Sequence, residues 1–182
     1  MALLAKVKGR HARTLAALAL ARAGNPAEAQ MIADSLNNDF PHHTVVQNYW
    51  LPSIRSAAEL DSGNAKKATA ILQACAAYEM AQSQPFELGT LYPVYLRGQA
   101  YLLLHKGKEA AEEYQKIITH RGIVLNFPIA ALARVGLARA YATQADTAKA
   151  RAAYQDFLTL WKDADPDIPI LKQAKAEYAK LQ

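Results

Sequence analysis

Cysteine is almost absent from this chain of 182 residues, which contains only Cys75. A single cysteine excludes an internal disulfide and excludes zinc or redox sites built on a CxxC motif. The chain also lacks an apolar run of about eighteen residues, so we expect no direct membrane insertion. The apolar start at residues 1–5 is shorter than the apolar region of a signal peptide, and Lys6 and Lys8 follow at once.

Glycine motifs of catalytic sites are missing as well. The eight glycines lie at positions 9, 24, 63, 89, 98, 107, 122 and 136, and no two are separated by a single residue. That spacing excludes the G-x-G-x-x-G loop of protein kinases, and neither His-Arg-Asp nor Asp-Phe-Gly occurs. The G-x-x-x-x-G-K-[ST], HExxH and G-x-S-x-G motifs are also absent. The sequence therefore predicts no catalytic residue, no cofactor and no enzyme activity.

Candidate metal ligands are few. His42 and His43 are adjacent but have no third ligand at helical spacing, so we interpret them as a polar connector. Asp163, Asp165 and Asp167 resemble the start of a calcium loop, but the glycine and glutamate that an EF-hand needs further on are missing. We expect these carboxylates to lie at the start of the final helix, where negative charge is favoured. No metal site is predicted.

The lone cysteine and a group of three glutamates are interpreted as structural residues and not as catalytic ones. Cys75 falls at an apolar packing position, which predicts a buried and unreactive thiol. Glu109, Glu112 and Glu113 lie early in a predicted helix, and we expect them to form a solvated face.

The chain carries a modest positive charge, with 21 Lys and Arg against 16 Asp and Glu. The basic residues are scattered, and only Lys66 and Lys67 are adjacent. A nucleic-acid interface normally clusters its basic residues on one face with aromatic residues between them. We therefore expect no nucleic-acid partner, whereas an acidic protein partner is compatible with the charge.

Alanine and leucine dominate the composition, with 38 and 22 residues respectively. Both are strong helix formers. The eight prolines fall at spaced positions, and no stretch alternates apolar and polar residues for long. The composition predicts an all-α fold.

Internal repetition is the main pattern of the sequence. The tetrapeptide at 98–101 is similar to that at 138–141, and the hexapeptide at 110–115 is similar to that at 150–155. Both matches are offset by 40 residues. A weaker match relates 23–29 to 62–68, and it aligns four alanines: Ala29, Ala68, Ala110 and Ala150. This periodicity predicts an array of similar helical units.

Nine helices are predicted, at about 10–23, 26–38, 44–61, 65–79, 93–106, 108–120, 128–144, 147–162 and 168–181. They give repeats at about 10–41, 44–80, 92–122 and 128–163, with a capping helix at about 167–181, in one domain over 1–182. Asn25, Asn64 and Asp146 are predicted helix N-caps. Pro52 predicts a kink or a helix start, and residues 80–92 show no clear period.

The units share a pattern of small and large residues. A small residue and an aromatic mark the first helix, and alanine followed by a large and an apolar residue marks the second. The pattern comprises Gly98, Tyr101, Ala110, Tyr114 and Ile117 in the third unit, and Ala138, Tyr141, Ala150, Tyr154 and Phe157 in the fourth. It resembles the tetratricopeptide repeat. That resemblance implies an α-solenoid of about four helix-turn-helix repeats with a capping helix and a concave groove.

A closer resemblance rests on three segments, Leu91–Tyr95, His120–Asn126 and Asp146–Lys172. They are similar to the C-terminal tetratricopeptide region of acidobacterial serine/threonine protein kinases, and the likeness covers nearly the whole chain. It implies a regulatory or scaffolding region that follows a kinase domain. The cytoplasm is the favoured compartment, and a location outside it would follow if a membrane span precedes this region.

In the tetratricopeptide family the first helices line the groove. The predicted groove residues are Arg55, Tyr92, Tyr95, Gln99, Arg139 and Thr143, and His11, Thr14 and Arg22 occupy the matching stripe of the first unit. Arginine can hold a carboxylate through two bonds, so an acidic peptide or a chain terminus is the expected ligand. Packing is the alternative role for both tyrosines. The sequence predicts a non-catalytic protein-binding module, with self-association as a homodimer as the alternative.

Overall fold

The computed structural model describes residues 9–80 and 91–181. These residues form ten α-helices and no β-strand, which confirms the predicted all-α fold. The helices are α1 (Arg10–Arg22), α2 (Pro26–Asp39), α3 (Leu51–Asp61), α4 (Ala65–Leu72), α5 (Tyr92–Leu103), α6 (Gly107–Thr119), α7 (Arg121–Val124), α8 (Ile129–Thr143), α9 (Thr147–Leu160) and α10 (Pro169–Ala179). None of these helices has the length and apolarity that a membrane crossing requires.

The helices pack as consecutive pairs. The pairs are α1 with α2, α3 with α4, α5 with α6, and α8 with α9. The first helix of each pair also packs on the first helix of the next, so that α1, α3, α5 and α8 are successive neighbours. The last helix, α10, packs on α9. This order places the four first helices in one row.

The turn inside each pair has the same backbone geometry in all four pairs. One residue of each turn has a positive φ: Gly24 at 76°, Gly63 at 78°, His105 at 56° and Ala145 at 59°. The next residue donates its N–H to the carbonyl five positions earlier, which is a bond typical of helix C-termini. These turns are 39, 42 and 40 residues apart, like the aligned alanines. The sequence repeat is therefore also a repeat of the backbone.

Several helix boundaries differ from the prediction. Helix α4 ends at Leu72 and continues as a 3₁₀ turn to Cys75, whereas the prediction extended it to 79. The short α7 was not predicted. Most of the irregular stretch predicted at 80–92 lies outside the described residues, and α5 begins at Tyr92. Only one predicted cap forms: the Asp146 carboxylate accepts from the backbone N–H of Lys149, whereas Asn25 and Asn64 make no such bond.

Pro52 lies within a continuous helical segment. A π-helical stretch, Val46–Trp50, precedes α3 directly, and Leu51 donates its N–H to the carbonyl of Val46. A proline inside an α-helix removes one hydrogen bond, and its ring clashes with the carbonyl four residues earlier. The wider π-helical turn relieves that clash. Local widening of the helix therefore takes the place of a break at Pro52.

The apolar core consists of two large clusters and a small one between them. The first cluster is built from α1 to α4 and includes Leu96 of α5. The second is built from α5 to α10. A small alanine cluster joins α4 to α5. The four aligned alanines, Ala29, Ala68, Ala110 and Ala150, are all 0% exposed, because these positions lie where helices approach closely.

The ring of Tyr114 lies wedged between α5 and α8. A Cβ atom added at Gly98 of α5 would lie 2.8 Å from this ring, and one added at Gly136 of α8 would lie closer still. Carbon atoms in ordinary contact are about 3.5–4.0 Å apart. Neither position therefore accommodates a side chain, which explains why a small residue in the first helix accompanies a large one in the second.

A buried ion cluster joins α5 and α6 to Glu79, which follows α4. The Arg97 side chain is 6% exposed, and its Nη2 lies 2.6 Å from Glu79 Oε2 and 2.8 Å from Glu113 Oε2. Lys116 Nζ lies 2.8 Å from Glu113 Oε1. The expectation that Glu113 belongs to a solvated face is therefore wrong, because this carboxylate faces Arg97 of α5. The cluster also anchors the residues that follow α4 to the third helix pair.

Candidate functional site

A cavity of about 420 Å³ opens along the row of first helices. Its walls come from α1, α3, α5 and α8, with contributions from Tyr114 of α6 and Ile170 of α10. Three of the predicted groove residues, Tyr95, Gln99 and Arg139, lie together in this cavity. Arg22 of the first unit lines it as well. The volume falls within the range of about 300–1,000 Å³ that is typical of ligand sites.

One wall of the cavity presents a cation held in place by two neighbours. Arg22 Nη1 donates to Gln99 Oε1 at 2.9 Å, and its guanidinium lies 5.4 Å from the centre of the Tyr95 ring. Such stacking attracts the cation to the electron-rich face of the ring. Burial raises the pKa of Tyr95 and Arg22 opposes this shift, so the hydroxyl is neutral at neutral pH. Among residues 9–80 and 91–181, no carboxylate forms an ion pair with Arg22.

The opposite wall contains a second arginine, whose guanidinium is occupied. Arg139 Nε and Nη2 each donate to an oxygen of Glu177 on α10 at 2.9 Å. The Tyr154 hydroxyl donates to the same carboxylate at 2.6 Å. Burial raises the pKa of Glu177, but the bonds from Arg139 and Tyr154 outweigh burial and leave it below its usual value. Helix α10 thus supplies the carboxylate that this guanidinium holds.

Tyr114 lines the same cavity as the two arginines. Burial strongly raises the pKa of Tyr114, and the charges of Arg139 and Arg22 both oppose that rise. Asp61 of α3 also lines the cavity and supplies one negative charge. The cavity therefore combines aromatic and aliphatic walls with the Arg22 guanidinium and the Asp61 carboxylate, whereas the Arg139 guanidinium is already paired with Glu177. This composition suits an anionic group attached to an apolar side chain.

The other three predicted residues lie outside the cavity. Arg55 of α3 faces α2, where its Nη2 lies 3.8 Å from Asp34 Oδ1. The Thr143 hydroxyl donates to the carbonyl of Arg139, within its own helix. The Tyr92 ring packs against both large apolar clusters, which is the packing role that the sequence favoured.

Sequence reasoning missed several contributors to the cavity, among them Asp61, Leu103, Tyr114 and Ile170. Tyr114 was placed in the core as a second-helix residue, yet it also lines the cavity beside Tyr95. Ile170 was assigned only to the capping helix, yet it reaches the same cavity. The exposed apolar residue Leu103 also lies on the wall. Their positions depend on how helices pack across units, which no pattern within one helix reveals.

The thiol of Cys75 is fully buried, as predicted. Its Sγ lies 3.7 Å from the carbonyl oxygen of Tyr49, and burial raises the pKa of the thiol to about 12. A thiol with so high a pKa has almost no nucleophilic thiolate at neutral pH. Within the described parts of the chain, no group of three His, Cys, Asp or Glu side chains lies in a metal-binding arrangement.

Comparison with known proteins gives no relative for this chain. No model of a protein family, no curated protein and no solved structure matches it.

Proposed function

We propose that this chain is a non-catalytic binding module, a tetratricopeptide-like α-solenoid that holds an acidic peptide in the cavity along its first helices. The observation that carries the proposal is the Arg22 guanidinium. It lies in the cavity, fixed by Gln99 and Tyr95, without a carboxylate partner among the described residues.

The repeated backbone supports the solenoid part of this proposal. Four helix pairs share one turn geometry, and their first helices are successive neighbours. Such stacking produces the extended concave surface that repeat proteins use for binding. The cavity draws residues from all four first helices, as that arrangement requires.

The Arg139–Glu177 pair supports the choice of a carboxylate as the recognised group. This pair shows the two-bond geometry with which a guanidinium holds a carboxylate inside this cavity wall. Arg22 offers the same chemistry on the opposite wall, next to aromatic and aliphatic side chains. An Asp or Glu side chain, or a chain terminus, beside an apolar residue matches both features.

The kinase association is part of the proposal and rests on the sequence resemblance alone. A module of this kind would regulate or position a serine/threonine kinase domain joined to it. Kinase activity of the parent chain, measured with and without this region, tests that association. An activity and a substrate preference that do not depend on this region would contradict it.

Peptide binding tests the groove directly. We would measure fluorescence anisotropy with two labelled peptide pools of equal length, one rich in Asp and Glu and the other with Asn and Gln at the same positions. The acidic pool is expected to bind, and Arg22→Gln is expected to weaken binding about 10–100-fold, since a charge-assisted hydrogen bond contributes about 1.5–3 kcal/mol.

Arg55→Gln is the matched control, because Arg55 is an arginine of the same row of helices outside the cavity. It should leave the affinity unchanged. Equal losses for Arg22→Gln and Arg55→Gln would indicate non-specific attraction and contradict the assignment. Equal binding of the acidic and amide pools would contradict the choice of a carboxylate.

Self-association is the second candidate, and exposed apolar side chains favour it. Met31, Leu103, Leu125 and Leu160 are 62%, 54%, 61% and 56% exposed. Sedimentation velocity over a wide concentration range tests it. Self-association would be established by a dimer whose population rises with concentration and which is lost in a Leu125→Ser, Leu160→Ser variant. A monomer at every concentration would exclude self-association.

A further inference from the structure

A second cavity, of about 650 Å³, lies away from the row of first helices. It lies beside the short α7, where α6 and α9 end and α8 begins, and it shares no lining residue with the first cavity. Its walls are mainly apolar and include Phe127, Trp161 and the exposed Leu125 and Leu160. The volume is within the range of pockets that hold small ligands.

Two arginines line this apolar cavity, Arg121 and Arg134. Arg134 Nη1 donates to the carbonyl of Ala130 at 2.6 Å, which holds the side chain against its own helix. Within residues 9–80 and 91–181, neither guanidinium forms an ion pair with a carboxylate. Burial lowers the pKa of Arg134, and the charge of Arg121 lowers it further. The negative charge of Asp156 opposes both effects, and arginine stays protonated in proteins. The cavity therefore carries two positive charges, of which that of Arg134 is partly offset by Asp156 without an ion pair between them.

The charge and the walls together define the ligand. Two neighbouring like charges repel each other, and an anion placed between them relieves that repulsion. Guanidinium groups bind carboxylates with matched two-bond geometry. The adjacent leucines, Phe127 and Trp161 offer apolar surface to an attached hydrocarbon body.

We infer that this cavity binds a small amphiphilic carboxylate, with its carboxylate between Arg121 and Arg134 and its hydrocarbon chain against Leu125, Leu160 and Trp161. This site is independent of the proposed peptide groove. The module would therefore bind a small molecule at a place separate from the peptide groove.

Trp161 provides a direct reporter of binding. The chain has two tryptophans, and the other, Trp50, is buried in the first apolar cluster. A Trp50→Phe protein therefore leaves Trp161 as the only tryptophan. We would titrate this protein with decanoate and with decanol below their aggregation limits, and follow the emission of Trp161. Calorimetry with the unmodified chain provides a second measurement.

Decanoate is expected to cause a saturable change, with at least tenfold tighter binding than decanol. Arg121→Gln and Arg134→Gln should each weaken decanoate binding at least tenfold. Arg121 is exposed, and its side chain forms no hydrogen bond or ion pair within the described residues, so its variant is expected to fold normally. Arg22→Gln is the control: it removes an arginine of the first cavity and should change nothing here.

Three results would overturn the inference. The first is equal binding of decanoate and decanol, and the second is unchanged decanoate binding in both arginine variants. The third is a saturable change in Trp161 emission with the acidic peptide pool but not with decanoate. That result would indicate that the cavity binds a protein segment and not a small carboxylate. Because the peptide assay uses Arg22 and this assay uses Arg121 and Arg134, failure of one proposal leaves the other intact.

Discussion

Gly136 faces the ring of Tyr114, and the substitution Gly136→Ala tests whether that ring is wedged between two helices. In an open helix, replacing glycine by alanine stabilises the fold by about 1 kcal/mol. Here the new methyl group would lie far inside contact distance of three ring atoms. The ring cannot move away, because Gly98 of α5 faces it from the other side and because it is 1% exposed.

The expected magnitude follows from these two opposing effects. Overpacking of a filled core costs about 1–3 kcal/mol, and a ring confined on both sides belongs at the upper end. The gain in helix propensity offsets about 1 kcal/mol of this. We therefore expect Gly136→Ala to lower the free energy of unfolding by about 2 kcal/mol.

Urea denaturation measures this change, and Gly122→Ala is the matched control. A Cβ at Gly122 of α7 would have no neighbour within 4 Å, so that variant should be neutral or slightly more stable. In a Tyr114→Leu background the ring is gone, and Gly136→Ala should lose most of its destabilising effect. A midpoint for Gly136→Ala at or above that of the unmodified chain, with an unchanged m value, would refute the wedge.

Three further predictions concern charges and the thiol. Arg97→Met leaves Glu79 and Glu113 with only the more exposed Lys116 as a cation and should destabilise the fold by about 3 kcal/mol in urea denaturation, at the lower end of the range for a broken buried pair, and a loss below 1 kcal/mol would contradict the buried cluster. Because the pKa of Glu177 is lowered, its ionised form adds stability above the usual pKa of 4.5, and this stability disappears as pH falls through the lowered value. Thermal melts in acid should therefore show a smaller pH dependence for Glu177→Gln, and identical slopes would contradict the pairing. Ellman's reagent should label Cys75 only after unfolding, and rapid labelling of the native chain would contradict its burial.

Features that repeat within the chain were predictable from sequence. The four aligned alanines were found from short matches between segments, and all four are fully buried. Small residues are required where helices approach closely. Because this approach recurs in every unit, alanine recurs at the same position of every unit in the sequence. The helical class and most helix positions follow from the same periodicity. The end of α4 at Leu72 could not be predicted in this way, because the alanine-rich residues after it also suit a helix.

Features that depend on contacts between distant segments were not predictable. Nothing in the sequence near Glu113 indicates that Arg97 and Glu79 enclose it, since these residues belong to other elements. The partner of Arg139 is Glu177, 38 residues later, so this candidate ligand-binding group proved to be already occupied. The Arg55 side chain points toward α2 for an equally non-local reason, the position of Asp34.

The turns within the four helix pairs share one backbone geometry but place different residues at the same position. Two of them place glycine at the residue with positive φ, and the other two place His105 and Ala145 there. A side chain in the left-handed region costs about 1–2 kcal/mol, whereas glycine adopts it freely. The turns of the third and fourth units are therefore strained at His105 and Ala145, and replacing either residue by glycine would relieve that strain. An artificial array of identical units, built from the Gly24 or Gly63 turn, would avoid this strain in every copy without any change to its inner surface, and the larger entropy that glycine loses on folding would offset part of the gain.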